Sequence, residues 1–104
     1  MAQDRIRTEA VEDLLNVLAR TDDADDVYAL LQDLCTPREI TEMSQRLQVA
    51  RLLAAGVSYV DIQESTGASA TTISRVSKCL NYGSGGYRMV VNPDGKPDAS
   101  TESE

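Results

Sequence analysis

The sequence predicts an all-α fold: a small helical domain with a C-terminal helix-turn-helix, followed by a short irregular or disordered tail. Two observations carry this expectation. The only aromatic residues are four tyrosines, so the core must be built from Leu, Ile, Val, Ala and Met, which suits helices better than sheets. Apolar residues also recur at helical spacing through most of the chain, punctuated by capping residues and glycines. At 104 residues and 41% hydrophobic content, there is enough chain for one modest core and not for two domains.

Each element has its own justification. From Ile6, the residues Ile6, Ala10, Leu14, Val17 and Leu18 form an apolar stripe that predicts a helix ending near Arg20. The run TDDADDVYALLQDL then places aspartates where a second helix begins, favourable toward the helix dipole, with Val27, Leu30, Leu31 and Leu34 as its stripe. That role accounts for the aspartates without a metal. Thr36-Pro37-Arg38-Glu39 is a strong start signal: threonine caps, proline fits the first helical position, and glutamate completes a capping box. The long helix that follows shows Ile40, Met43, Leu47, Ala50 and Leu53 on one face, widened by Val49 and Leu52, and ends at Gly56. Such a face is broad enough to touch more than one neighbour.

Ser58 is expected to cap a short helix from Tyr59 to about Ser65, and Ser69 to cap another through about Leu80, with Gly67 in the turn between them. Two capped helices across a glycine turn outline a helix-turn-helix. Ile62, Ala68, Ile73, Val76 and Leu80 are placed to pack together and fix the crossing, while Gln63 stands where close helix approach normally favours alanine. Beyond Asn81, Gly83, Gly85 and Gly86 break helical structure, and Tyr87 to Val91 has strand-like composition. From Asn92 onward the composition predicts disorder. The organisation expected is therefore residues 1–35 as acidic dimerisation helices, 36–82 as long helix plus helix-turn-helix, and 83–104 as tail, within one domain.

Composition removes several function classes. With no histidine, serine-histidine and cysteine-histidine catalysis are excluded, and the commonest metal ligand is missing. Cys35 and Cys79 alone cannot build a structural zinc site, and they are expected to be reduced, buried thiols of an intracellular protein. No cofactor is expected. Neither a membrane span nor an apolar leader is evident, which predicts a cytoplasmic protein with no membrane partner. Neighbouring carboxylates such as Glu39 and Glu42 are dipole partners at a helix start rather than an acid-base pair, so no enzyme is expected.

The net charge of −7 taken alone argues against a nucleic-acid partner, but the distribution of that charge points the other way. Residues 1–35 hold three arginines against nine acids, residues 89–104 one base against four acids, and residues 36–88 six bases against four acids. Only the middle is positive, so DNA contact belongs there. A recognition helix needs small or polar residues at the end that enters the major groove. Ala70, Thr71, Ser74 and Lys78 supply these on the face away from Ile73 and Val76, with Ser58, Tyr59, Gln63 and Ser69 placed for the adjoining DNA backbone.

The stretch TPREITEMSQRLQVARLLAAGVSYVDIQESTGASATTISRVSKCLNYGSGGY resembles the tryptophan repressor-like superfamily, closest to its YerC/YecD branch of bacterial proteins. The Thr-Pro helix start, the Gly56 break, the Gly67 turn and Thr72-Ile73-Ser74-Arg75 occur in the family's order. The resemblance implies a dimer with intertwined N-terminal helices, operator binding and transcriptional repression. It also implies a candidate effector pocket. Arg46 and Arg75 match the arginines that sandwich the corepressor's indole, and Thr36 and Thr72 match threonines nearby. Val76 stands where the tryptophan repressor has glycine, so tryptophan is not the expected effector, and its identity stays open. The Gly-rich and Val-rich tail is expected to replace the repressor's final helix. Partners expected are a double-stranded DNA operator and a second copy of the chain. The rival reading is an acidic helical protein-interaction module without specific DNA binding.

Overall fold

The computed structural model describes residues 5–91, and the expectation of disorder from Asn92 lies outside them. Six helices are described: α1 (Glu9–Arg20), α2 (Ala24–Leu34), α3 (Pro37–Ala54), α4 (Tyr59–Thr66), α5 (Ala70–Tyr82) and α6 (Gly86–Val91). Contacts divide the chain into two compact units, Met1–Ile40 and Thr41–Glu104, with the division inside the first turn of α3.

In the first unit, α1 starts later than its apolar stripe suggests. Thr8 is the cap, its hydroxyl accepting from the Val11 amide at 3.2 Å, and Ile6 lies outside the helix and exposed. The Arg7 guanidinium hydrogen-bonds Glu12 and holds its carboxyl below the usual carboxylate range. Asp23 caps α2 by accepting from the Asp26 amide at 3.1 Å, the role predicted for the aspartate run. The capping box is reciprocal: the Thr36 amide donates to Glu39 Oε1 at 2.8 Å, and the Glu39 amide to Thr36 Oγ1 at 3.1 Å. Neither α1 nor α2 contains a buried residue despite their amphipathic sequences.

The second unit holds the core. Val49 and Ala50 of α3, Ile62 of α4, Ala68 of the turn, Ile73, Val76 and Leu80 of α5, and Val91 of α6 are all buried. Leu52, Leu53, Ala54, Val57 and Tyr87 pack against them. The five residues expected to fix the helix-turn-helix crossing are all in this cluster, and full burial of a side chain such as Ile62 or Ile73 is worth about 1.5–3 kcal/mol. Met43 and Leu47, from the front half of the α3 stripe, stay exposed. Gln63 is exposed as well.

Helix ends are closed by glycine geometry. At the end of α3, Gly56 has φ +84°, with its amide donating to the Leu53 carbonyl and the Val57 amide to the Leu52 carbonyl, a Schellman arrangement. At the end of α4, Gly67 has φ +77° and donates to the Gln63 carbonyl at 2.9 Å. The strand-like reading of Tyr87–Val91 is corrected: this segment is α6. Gly85, at φ +93°, turns the chain into it, and the burial of Val91 among the core residues outweighs the weak helix propensity of Val90 and Val91.

Candidate nucleic-acid interface and adjoining cleft

The turn between α4 and α5 is fixed by side chains on both sides. Thr66 Oγ1 donates to the Ile62 carbonyl at 2.7 Å and accepts from the Ala68 amide at 3.1 Å. Gln45 of α3 donates to the Thr66 carbonyl at 3.2 Å, so the long helix holds the turn as well. Neither Gln45 nor Thr66 stands out in the sequence, because a lone polar residue within a helix carries no local signal.

With the turn fixed, α5 presents two faces. Ile73, Val76 and Leu80 are buried, and Ala70, Thr71, Ser74 and Lys78 are exposed together on the other side. Ser58, Tyr59, Gln63 and Ser69 are exposed too. The two cap serines carry structural duties. Ser58 Oγ accepts from the Asp61 amide at 3.2 Å, and Ser69 Oγ accepts from the Thr72 amide at 3.1 Å while donating to Thr72 Oγ1 at 3.2 Å. The first amides of each helix, among them those of Ala70 and Thr71, have no acceptor within the helix and are of the kind that can donate to an anion. Asp61 and Glu64 of α4 are also exposed, balancing the charges of Arg75 and Lys78 on α5.

On the flank of α5 opens a cleft of about 300 Å³ lined by Arg46, Thr72, Arg75, Val76, Cys79 and Tyr87. Four of the five residues assigned to the candidate effector pocket thus come together. The fifth, Thr36, belongs to the N-terminal unit, where it serves the capping box. Val76 is 2% exposed and lies in both the core cluster and the cleft wall, so it forms the cleft floor. Cys79 and Tyr87 are additions to the sequence-based set. The thiols are free as expected, but Cys79 is exposed and Cys35 half-buried, a correction to the expectation of burial. Position 79 continues the spacing of Thr72, Arg75 and Val76 along one helical face beside the buried stripe. Of the described residues that line the cleft, none is acidic. Among the described residues, no group of three or more His, Cys, Asp or Glu is placed to hold a metal ion, and no helix is long and apolar enough to cross a membrane.

Residues 9–94 match the family described as Trp repressor protein. The chain belongs to that family. The protein YerC of Bacillus subtilis (strain 168) is 42% identical over 103 residues, which cover 99% of this chain and 97% of YerC. Among solved structures, a TrpR-like protein from Eubacterium eligens ATCC 27750 is 42% identical with a TM-score of 0.84, over 92% of this chain and 99% of that one. A second, from Staphylococcus aureus, is 33% identical with a TM-score of 0.83, over 94% of this chain and 99% of that one. The Trp repressor-like fold is thus shared along nearly the whole chain, and it is a regulator-type fold rather than an enzymatic one. The expectation that the tail replaces a final helix is corrected by α6, which follows the glycines at the end of α5.

Proposed function

We propose that this chain is a sequence-specific DNA-binding transcriptional regulator, a repressor, acting in the cytoplasm as a helix-turn-helix homodimer without requiring tryptophan. The single observation that carries the reading is the division of α5: a buried stripe seats it on α4, while Ala70, Thr71, Ser74 and Lys78 share an exposed face. Small and hydroxyl-bearing residues at a helix N-terminus suit close approach to base edges, and Lys78 suits a phosphate. Membership of the Trp repressor family supports the same reading.

Dimerisation is supported by apolar surface that the single chain leaves in water. Leu14, Leu15, Tyr28, Leu34, Met43 and Leu47 are all exposed, and no residue of α1 or α2 is fully buried. Exposed apolar surface of that extent marks an interface. A gel-shift screen of the protein against DNA flanking its own gene tests the proposal. Retardation of one fragment that survives excess random competitor is expected, and equal retardation of all fragments, or none, contradicts it.

A further inference from the structure

The cleft beside α5 draws its lining from three helices, and the residue contributed by α6 is Tyr87. Tyr87 follows Thr72 by fifteen positions in sequence, yet it borders the same cleft as Thr72, whose amide and hydroxyl are both held by the α5 cap residue Ser69. Tyr87 is half-buried and packs against the core cluster that Ile73, Val76 and Leu80 of α5 help to build, so α6 folds back beside α5. With six residues, α6 is too short to be helical on its own strength. Its anchors are visible: Val91 is 2% exposed in the core, and Arg88 Nη1 donates to the Asn81 carbonyl at 3.2 Å. A Cβ at Gly83 would stand 2.4 Å from the Cys79 carbonyl oxygen, so the approach to α6 is closely confined.

We infer that α6 is a strap that holds the Tyr87 ring against the flank of α5 and thereby orders the first turns of that helix with no small molecule bound. The functional meaning of the strap rests on the reading of α5 as the recognition helix. Arg46 and Arg75 border the same cleft as Tyr87, and a guanidinium plane is suited to an aromatic neighbour. Aromatic content makes the feature specific, since Tyr87 is the only aromatic residue in the cleft lining.

Amide hydrogen exchange on the DNA-free protein tests the strap. In Tyr87→Ala, the amides of Ile73 to Val76 are expected to exchange tenfold or more faster, with those of α4 unchanged. Tyr87→Phe keeps the ring and is expected to match wild type, as is Met89→Ala, which alters an exposed residue of the same helix. p-Cresol at millimolar concentration is expected to slow exchange again in Tyr87→Ala and to leave wild type unaffected. Unchanged exchange in Tyr87→Ala, acceleration spread evenly over all helices, or acceleration that p-cresol leaves in place overturns the strap. Tyr87→Leu, which keeps an apolar anchor without a ring, carries the exchange comparison if the alanine variant does not fold. Failure of the DNA reading would instead appear as absent operator binding by wild type, a separate result that leaves the exchange outcome intact.

Discussion

Thr71 and Ser74 are exposed on α5, with Lys78 one turn further on, and the proposed DNA-binding reading assigns base discrimination to the two hydroxyls and phosphate contact to the lysine. A lost base contact costs about 1–3 kcal/mol at the affected base pair and alters preference between sequences. A lost phosphate contact weakens all sequences alike and lowers the salt slope by about 1. Fluorescence titrations are therefore expected to show Thr71→Ala or Ser74→Ala flattening preference between operator variants, and Lys78→Ala weakening every duplex equally. Equal losses on specific and random DNA from the two hydroxyl variants would contradict the assignment. Val76 decides a second question at this scale. Its branched side chain is stiff about χ1 and forms the cleft floor, so an indole against that floor meets methyls in place of bare backbone. Overpacking of this kind costs about 1–3 kcal/mol, which is tenfold or more in affinity. Calorimetry is expected to show no micromolar L-tryptophan binding by wild type and a gain in Val76→Gly. Micromolar binding by wild type coupled to tighter DNA binding would contradict the steric argument.

At the scale of elements, the glycines that close the helices differ in what a side chain would cost. At Gly67 the space for a Cβ is open but φ is +77°, so Gly67→Ala bears only the strain of the left-handed backbone, about 1–2 kcal/mol. At Gly83 the backbone lies outside that region, but the Cβ would meet the Cys79 carbonyl at 2.4 Å, so the backbone itself must move. Urea unfolding is expected to show Gly67→Ala destabilised by that amount and partly rescued by Gly67→Asn. Gly83→Ala is expected to free α6, with Tyr87 becoming more exposed to quenchers. The difference also explains what is legible in the sequence. Caps at Thr36, Ser58 and Ser69 and the turn glycines Gly56 and Gly67 are local signals, readable because the chemistry lies within four residues. The helix α6 is not legible, since glycines and valines favour other local structure and its helicity comes from Val91 entering a core built elsewhere. The Thr8 cap is masked because Ile6 happens to fit the period of α1. In the cleft, Arg46, Thr72, Arg75 and Val76 are readable by resemblance and Cys79 by helical spacing. Tyr87 requires knowing that the chain reverses after α5.

At the scale of the molecule, the acidic balance sets how binding should behave. The two carboxylates of α4, Asp61 and Glu64, match in number the two cations of α5, Arg75 and Lys78, so little excess positive charge remains on these helices, and non-specific affinity should be weak and the salt slope shallow. On the proposed reading, discrimination depends on two recognition helices acting together, which requires two copies of the chain. Light scattering at micromolar concentration is expected to report about twice 11.3 kDa, and a stable monomer there would contradict the dimer, because folding and association are coupled in an intertwined assembly. The most direct measurement is selection of bound duplexes from a random-sequence library at physiological salt. A DNA-reading dimer predicts enrichment of a two-fold symmetric sequence with half-site centres about one helical turn, roughly 34–36 Å, apart, and loss of that enrichment in the Thr71 and Ser74 variants. Recovery of no common sequence, or of one that those variants recover equally well, would contradict it.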